Sequence, residues 1–543
     1  MLALARSACC HSKLVTIPRI AVLVSIFIFA LAFPYRTEIR AKWDDTETFS
    51  EWIPIASGGH GEQAGLAQEL ISILEKYSPA ASEPIEAVKG AKVDRWPADH
   101  DAELMDILET TPKQTLNMME THSGFIKAVG ERLPRYIAKQ KHSQGIVTVG
   151  GGSYFPPLMV SLRLLRRTGT ALPVEVFLPE EEYEAQMCEE VLPTLNAACR
   201  TFTELGGKIS HYQYKVFAII LSSFEDVLWL DADNFSLHDS ASLFPSTPFR
   251  ETGMIVWPDI WQTSISPAYY LIAQRKATPV SARASTESGQ LLVSKTRHWK
   301  TLLLAAYYNY YGPEYYYPLL CQGGAGCGDK ETFLPAAEAM GLPFYAVEAP
   351  PQPVGHYKHS HHRERGIYRF ALIQGDPSGD YIVTTGSETS EATFSPTNES
   401  ETALQAGGPA ERDQSGVSLY DSVRPFFLHM MTPKWDAHHV FDHVGRYDLT
   451  LDHRHRQAAA YQDPPEISAR IKGVERMVWE ETKWVACNLE DVIGYWEGKR
   501  GAICQKLEEY FRDVLNTEKA VELGLASDMV PAPYIHMYPE ISA

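Results

Sequence analysis

The stretch Asp226-Val-Leu-Trp-Leu-Asp-Ala-Asp-Asn234 decides how this chain is interpreted. Its apolar run has the length and composition of a buried β-strand, and the run leads directly into Asp231-Ala232-Asp233. Alternate carboxylates at a strand end, where the chain turns, can both approach one hard divalent cation. We therefore expect Asp231 and Asp233 to bind Mn²⁺ or Mg²⁺, which can neutralise charge developing on a phosphate leaving group. The alternative is a helix N-cap or a solvated turn.

The neighbouring segments alternate between strand and helix patterns. Working outward from the acidic motif, we predict a strand over 145–149 that ends in a glycine turn, a helix over 157–167, a strand over 174–178, a helix from Glu180 toward Leu195, and a helix over 211–223. This alternation predicts an α/β domain with a mostly parallel, doubly wound sheet of Rossmann type. Ligands bind such sheets beyond the carboxyl ends of the strands, where both Gly150–Gly152 and Asp231–Asp233 fall.

The N-terminus carries a targeting segment. Counted from Leu14 to Phe33 the apolar stretch is about 20 residues, long enough to cross a bilayer core. Counted strictly from Ile20 it is about 14 residues and is typical of a signal peptide, with Ala30-Leu31-Ala32 as a cleavage site. We expect an uncleaved transmembrane anchor over 14–33, a cytoplasmic tail over 1–13 and a lumenal remainder. Either interpretation sends the chain into the secretory pathway.

Composition divides the rest of the chain. Residues 34–141 are charged with helical patterning, which predicts a stem and a helical lead-in, and 142–543 form the catalytic domain. From 378 to 418 the sequence is rich in Ser, Thr, Glu, Gly and Pro. Too little apolar content remains there to offset chain entropy, so we predict a disordered insertion.

Charge and cysteine content restrict the partners and the compartment. The net charge of −19 argues against nucleic acid, because phosphate binding needs a basic surface. Six cysteines beyond the apolar segment form three pairs that are close in sequence, which favours local disulfides in an oxidising lumen: Cys188 and Cys199, Cys321 and Cys327, Cys487 and Cys504. Other pairings, or buried free thiols, stay open.

A second polar segment, Phe427-Leu-His429-Met-Met-Thr-Pro-Lys434-Trp435, places an imidazole five residues before a lysine. His429 can complete the coordination shell of the metal, and Lys434 can contact a diphosphate. Besides a metal-assisted transfer from a diphosphate donor, two alternative functions are compatible with these residues. A dehalogenase-type phosphohydrolase also places D-x-D after an apolar strand, but it prefers Thr or Val where this chain has Phe235. A non-catalytic glycan-binding protein would not need either aspartate.

Tyrosine-rich runs at 307–311 and 315–317 have two interpretations. They can present rings on which sugars stack, or they can pack in the core.

Together these motifs resemble GT-A nucleotide-sugar transferases, and more closely the fungal α-mannosyltransferases of the MNN1/MNN2 type, which extend N-glycan outer chains in the Golgi. The resemblance covers most of residues 145–435 and rests on five segments: 222–234, 253–259, 287–290, 328–333 and 429–435. The insertion and Met430-Met431 depart from the compact family pattern. Neither includes a residue that we expect to be a ligand.

The resemblance implies a GT-A-like fold, Mn²⁺ (or Mg²⁺) as metal, GDP-mannose as donor, a mannose-containing glycan or glycoprotein as acceptor, and an α-linkage formed with retention. It also implies a type II protein of the Golgi membrane. It assigns Asp231, Asp233 and His429 to the metal, and Tyr214, Lys215 and Lys434 to the nucleotide donor. Asp329 and Glu331, in a glycine-rich loop, are the implied catalytic carboxylates that contact the sugar.

Overall fold

A computed structural model describes residues 60–131, 142–357, 367–386, 419–431, 434–441, 450, 458–498, 501 and 503–516. Its centre is a seven-stranded sheet in the order β3-β2-β1-β4-β7-β6-β8. The strands are β1 (Gln144–Val149), β2 (Val174–Leu178), β3 (Ala197–Thr201), β4 (Asp226–Leu230), β6 (Met254–Gln262), β7 (Ala284–Ser294) and β8 (Tyr345–Ala346). A second sheet contains β5 (Asn234–Ser236), β9 (Gln352–Tyr357), β10 (Ile367–Gly375) and β11 (Pro425–Met430), in the order β5-β11-β10-β9.

The large sheet is mixed. Strand β1 pairs in parallel with β2 and β4, as β2 does with β3 and β6 with β8. Strand β7 is antiparallel to both β4 and β6. The predicted α/β class is therefore confirmed, and the parallel half of the sheet is the half that the alternating strand and helix patterns identified. The second sheet is antiparallel throughout.

Thirteen α-helices lie in the described part of the chain. They are α1 (His60–Lys76), α2 (Pro112–Glu131), α3 (Phe155–Arg167), α4 (Tyr214–Leu221), α5 (Thr247–Thr252), α6 (Pro267–Ala273), α7 (Lys295–Tyr310), α8 (Tyr317–Cys321), α9 (Phe333–Met340), α10 (Pro377–Thr385), α11 (Pro465–Ser468), α12 (Val474–Leu489) and α13 (Ile503–Tyr510). Shorter 3₁₀ and π turns connect several of them.

Most strands of the large sheet contribute side chains to two hydrophobic cores, one on each face. In β4, Leu228 faces one hydrophobic cluster and Trp229 faces the other, as Ile146 and Val147 do in β1. This follows from the two-residue period of a strand whose faces are both covered. Helices α1, α2, α4, α6, α7 and α9 cover one face, and α3, α12, α13 and the small sheet cover the other.

The helical lead-in belongs to the core that contains Val147 and Trp229. Leu70 and Leu74 of α1 and Phe125 of α2 are buried in the same cluster as Leu302 of α7. Tyr307 of α7 also contacts the end of α1, because its hydroxyl donates to the Tyr77 carbonyl at 2.8 Å. The described part of the predicted 34–141 segment is thus an integral layer of the domain.

Two predictions of local structure were wrong. The single helix expected from Glu180 toward Leu195 is instead a 3₁₀ turn, a π turn and a second 3₁₀ turn that begins at Leu192. Pro193 lacks the N–H that a continuous helix would use.

The insertion was predicted to begin at 378, but Pro377–Thr385 is helix α10. Asp376 caps it by accepting a hydrogen bond from the Ser378 N–H at 2.9 Å, and Pro377 provides the preset φ of a first helical residue. The remainder of the predicted insertion, 387–418, lies outside the described residues.

The cysteine pairs form as their sequence spacing favours. Disulfides join Cys188 to Cys199, Cys321 to Cys327 and Cys487 to Cys504. The tyrosine runs prove to be core, because Tyr307, Tyr308, Tyr315 and Tyr316 are at most 2% exposed.

The predicted anchor at 14–33 lies outside the described residues. Within the described ranges, none of the helices combines the length and the apolar character that crossing a bilayer requires.

Candidate functional site

The acidic motif lies at the carboxyl end of β4, where the chain passes from the large sheet to the small one. The Asp231 N–H donates to the Gly289 carbonyl at 2.8 Å, which extends the pairing of β4 with β7. The Asn234 N–H then donates to the Asp231 carbonyl at 3.0 Å, closing a turn that directs the chain into β5. Trp229 Nε1 also donates to Asp231 Oδ1, at 2.8 Å. The turn brings both aspartates to one side.

His429 reaches the motif from the small sheet, where β11 pairs it with Asn234 of β5. Its Nε2 lies 3.4 Å from Asp233 Oδ1 and 4.0 Å from Asp231 Oδ2. One nitrogen of His429 and one oxygen of each aspartate all lie within 4.8 Å of one another. The structure therefore brings together the three residues that the sequence predicted as metal ligands.

Glu287 of β7 fixes the imidazole from behind. Its Oε1 lies 2.9 Å from His429 Nδ1, and both side chains are buried. Although burial lowers the pKa of His429, Glu287 and Asp233 raise it to about 10 in the absence of a cation. Burial raises the pKa of Glu287, but His429 and the Gly289 N–H overcome that effect and lower it to about 2. Glu287 is therefore an ionised acceptor that leaves Nε2 facing the aspartates.

A hydrogen-bonded chain supports Glu287 in turn. Gln290 Nε2 donates to Glu287 Oε2 at 2.9 Å, and Asn234 Nδ2 donates to Gln290 Oε1 at 2.5 Å. Gly289 leaves the space this arrangement needs, since a Cβ there would lie 2.5 Å from His429 Nδ1.

The residues fit a divalent cation. His429 Nε2 is buried without a hydrogen-bond partner within the described structure, and it points between two carboxylates. Burial raises the pKa of Asp233, but Lys434 and His429 reverse this and hold it well below its usual range, so this carboxylate is ionised. Two carboxylates and one imidazole backed by a glutamate form a donor set of the kind that binds metal in proteins.

Two lysines border the aspartates. Lys434 Nζ contacts Asp233 Oδ2 while most of the lysine side chain remains exposed. Lys215 of α4 is buried, and its Nζ lies 3.2 Å from Asp231 Oδ1 and 2.9 Å from Asp329 Oδ2. Burial lowers the pKa of Lys215, but Asp231 and Asp329 outweigh it and the net shift is upward. Both lysines are cations beside the predicted metal position.

Asp329 and Glu331 lie in different surroundings. Asp329 joins the site through Lys215, and burial raises its pKa while Lys215 opposes the rise. Glu331 is 1% exposed, and its two oxygens accept from Arg283 Nη1 and Nη2 at 3.2 and 3.1 Å. The Thr286 N–H donates to Glu331 as well, at 2.6 Å. The structure thus brings Asp329, but not Glu331, into contact with the metal-site residues.

The ring of Tyr214 stacks on Phe202 at a centroid distance of 4.9 Å. A different tyrosine borders the site. Tyr154 follows the glycine turn after β1 and is 51% exposed. Partial burial raises the pKa of Tyr154, Lys434 lowers it, and Asp233 and Asp231 raise it further. Its hydroxyl is therefore within electrostatic reach of the predicted metal ligands.

Sequence reasoning missed the role of Glu287. It recognised Glu287-Ser-Gly-Gln290 as a matching segment but assigned it no chemistry. The signal was present, because β7 is buried along all eleven residues and still carries a glutamate and a glutamine, which is uncommon in a strand covered on both faces.

Comparison with known proteins agrees with this geometry. A family model described as "Mannosyltransferase putative" matches residues 143–284 and 280–376. The α-1,2-mannosyltransferase MNN24 of Candida albicans is 35% identical over 370 residues, covering 60% of this chain and 52% of that protein. The α-1,2-mannosyltransferase MNN2 of Saccharomyces cerevisiae is 34% identical over 322 residues, covering 51% and 53%. This chain spans about half the length of the curated relatives it matches.

Among solved structures, the glycosyltransferase GlyE of Streptococcus pneumoniae is similar over 38% of this chain and 45% of that one, with 12% identity and a TM-score of 0.27. A similarity this partial carries no argument about activity.

Proposed function

We propose that this chain is a member of the fungal MNN-type mannosyltransferase family and that it transfers mannose from GDP-mannose to a mannoside acceptor on glycoprotein glycans. The observation that carries the proposal is the convergence of Asp231, Asp233 and His429, which two different sheets bring within 4.8 Å of one another. The catalytic domain is GT-A-like in this proposal, and the product is an α-linkage, α-1,2 or α-1,3. The relatives MNN24 and MNN2, which are α-1,2-mannosyltransferases by name, support the first of these.

The chain's own residues have distinct roles. Asp231, Asp233 and His429 would hold the metal. An imidazole among the ligands favours Mn²⁺ over Mg²⁺, because Mg²⁺ is bound almost entirely through oxygen. A metal bound there would supply positive charge to neutralise the charge that develops on the leaving diphosphate.

Lys434 is suited to bind the diphosphate, since its exposed side chain already reaches the Asp233 carboxylate. Lys215 orients Asp329, and together they form the wall that faces the transferred mannose. This wall adds fixed charges in a site largely shielded from water, where charges have their greatest effect on the transition state. Tyr214 is a more distant contact for the nucleotide, because its ring is held on Phe202.

The reaction retains the anomeric configuration without a long-lived covalent intermediate. The bond from the anomeric carbon to the diphosphate oxygen breaks, and the acceptor oxygen bonds to the same face. The departing phosphate oxygen takes the acceptor proton. Asp329 is committed to Lys215 by a 2.9 Å contact and Glu331 to Arg283, so neither carboxylate is placed as a dedicated nucleophile.

The proposal includes the cell compartment. The apolar segment at 14–33 anchors the protein in the Golgi membrane as a single-pass type II protein with the catalytic domain in the lumen. The three disulfides support an oxidising compartment. N-terminal sequencing of the mature protein tests the anchor, and a chain that begins at Phe33 would contradict it.

A donor panel tests the activity. GDP-mannose, UDP-galactose, UDP-glucose and UDP-GlcNAc are assayed with Mn²⁺ and α-mannosides, with and without EDTA, for the wild type and for Asp233→Ala. We expect transfer from GDP-mannose alone, lost with EDTA and restored by Mn²⁺, and none from Asp233→Ala. Full activity of Asp233→Ala would refute the metal site. A β-linked product by NMR, or a mannosyl adduct on Asp329 trapped with a fluorinated donor, would refute the mechanism.

A further inference from the structure

Tyr212 is a second exposed aromatic side chain near the site, besides Tyr154 and in contrast to the buried tyrosine runs. Tyr212 is 58% exposed, although burying an aromatic ring of its size would contribute favourably to folding. It lies between β3 and α4, at the carboxyl edge of the parallel half of the large sheet.

The turn that carries Tyr212 is held firmly on both sides. The Ser210 N–H donates to Gln213 Oε1 at 2.7 Å, and Gln213 Nε2 donates to the Asn309 carbonyl at 2.9 Å. His211 adopts φ 48°, a left-handed conformation that is unfavourable for a non-glycine residue. Backbone strain of this kind persists where the surroundings impose it and is concentrated at functional positions.

The ring of Tyr212 is also fixed. It packs edge-to-face on Tyr317 at a centroid distance of 6.4 Å, and the Tyr317 hydroxyl donates to Asn309 Oδ1 at 2.8 Å. The turn and the ring therefore rest on the same residue of α7, and Tyr212 presents its exposed surface in a defined orientation.

The location of this ring determines which substrate it can meet. A Cβ built on Gly328 would lie 3.1 Å from the ring, so Tyr212 covers the residue that precedes Asp329. Asp329 is linked through Lys215 to Asp231. Tyr212 thus borders the side of the site formed by Asp329. Tyr154 lies close to it, since its hydroxyl interacts electrostatically with Tyr212 as well as with Lys434.

We propose that Tyr212 is the platform on which the pyranose ring of the acceptor mannoside stacks, a specificity-determining contact that rests on the proposed mannosyl transfer. A pyranose has one face of C–H groups and a rim of hydroxyls. The aromatic surface covers the C–H face and leaves the hydroxyls free, so one of them can approach the anomeric carbon beside Asp329. An uncharged ring suits a neutral acceptor, while the charged residues of the site are committed to the metal and the donor.

The test separates acceptor binding from donor binding. KM for an α-mannoside acceptor and Kd for GDP with Mn²⁺ are measured on the full chain for the wild type, Tyr212→Phe, Tyr212→Leu and Tyr212→Ala. Tyr183→Ala serves as the matched control, since Tyr183 is 42% exposed and contacts Glu189. We expect Tyr212→Ala to raise the acceptor KM roughly tenfold, the size of one lost aromatic contact. The acceptor KM of Tyr212→Phe should stay within about twofold of the wild-type value, and the acceptor KM of Tyr212→Leu should lie between those of Tyr212→Phe and Tyr212→Ala. No variant should change the Kd for GDP.

Each outcome decides the inference. An unchanged acceptor KM in Tyr212→Ala, or an equal rise in the GDP Kd, overturns it while leaving the mannosyl transfer intact. A rise as large in Tyr183→Ala overturns it too, because exposed aromatics in general would then account for the effect. If the wild type transfers no mannose from GDP-mannose, the proposed function and this inference are refuted together.

Discussion

His429 Nδ1 lies 2.9 Å from Glu287 Oε1, so a glutamate in the middle of a buried strand sets the orientation of an imidazole on the neighbouring sheet. This contact fixes which ring nitrogen faces Asp231 and Asp233. It also explains why Gly289 stands at its position, since any side chain there would meet the imidazole.

The first prediction follows from that contact. Glu287→Gln should weaken Mn²⁺ binding roughly 10–100-fold, as the loss of a carboxylate behind a metal-bound histidine generally does. Titration with Mn²⁺ by calorimetry, in the presence of GDP, measures the change. Glu475→Gln is the control, because Glu475 is a buried carboxylate that accepts from Ala460 N, Tyr461 N and Trp479 Nε1 elsewhere in the fold. Equal Mn²⁺ affinity in wild type and Glu287→Gln would show that the contact does not position the ligand.

The two carboxylates of the glycine-rich loop should respond differently to substitution. Asp329→Asn should lower kcat by roughly 10²–10³, as does the removal of another preorganised electrostatic group, because it alters the charge beside Lys215. Glu331→Gln should mainly lower Tm, because it weakens the paired contacts with Arg283. Steady-state kinetics and thermal unfolding of both variants separate the two effects. If Glu331→Gln lost kcat at unchanged Tm, the sugar-facing role would belong to Glu331.

Two deletions in the predicted insertion should differ in their effects on stability, depending on whether they include helix α10. Removing 388–417 should leave the folded domain active, because that Ser- and Thr-rich composition cannot build a core. Removing 378–417 should destabilise the protein, because it takes away Asp380, whose carboxylate accepts from Glu348 N at 2.9 Å and Ala349 N at 2.7 Å. Each buried N–H left without a partner costs about 1–3 kcal/mol. Urea midpoints of the two deletions and of Asp380→Ala measure this, and an inactive but folded 388–417 deletion would contradict it.

Stability should fall in mild acid because of His122 in α2. Burial, reinforced by Arg275, lowers its pKa to about 4, while its unfolded value is near 6.5. Between these pH values the unfolded chain binds more protons than the folded one, so the free energy of unfolding decreases as pH falls from about 6.5 toward 4. The full effect is on the order of 3 kcal/mol.

The measurement is the urea midpoint from pH 7.5 to 4.5 for wild type and His122→Gln. The variant should show a flatter profile, with some loss of stability at neutral pH because the 2.8 Å hydrogen bond to the Tyr308 hydroxyl is altered. Parallel profiles would remove His122 as the cause.

The parallel half of the fold was predictable because its signals are local. Strands β1, β2 and β4 are short, mostly apolar runs bounded by glycine, proline or charge, and each lies where its pattern indicates. The antiparallel half carries weaker signals. Strand β6 contains Pro258, and the first half of β7 contains the polar run Ser285-Thr-Glu-Ser-Gly-Gln290. These polar residues are accommodated by contacts with segments distant in sequence, which periodicity does not register.

The residues of the candidate site likewise divide into those with a local sequence signal and those that depend on long-range packing. Asp231 and Asp233 are adjacent to a clear strand, so their convergence was predictable, and His429 came from the spacing to Lys434. The pairing of Glu287 with His429 spans 142 positions and depends on how the two sheets pack. The family resemblance implied Asp329 and Glu331 together, as two carboxylates of one glycine-rich loop, and only the packing of Arg283 distinguishes them.

The turn after β4 has a consequence for the mechanics of the domain. Asp231 ends a strand of the large sheet, while Asp233 leads into β5 and His429 belongs to β11 of the small sheet. A cation held by all three would therefore cross-link the large sheet and the small sheet, which are hydrogen-bonded separately. Ligands that bind only the native state stabilise it in proportion to the logarithm of their concentration. Amide hydrogens of β11 should thus exchange more slowly with solvent as Mn²⁺ is added, making the small sheet a reporter of metal occupancy.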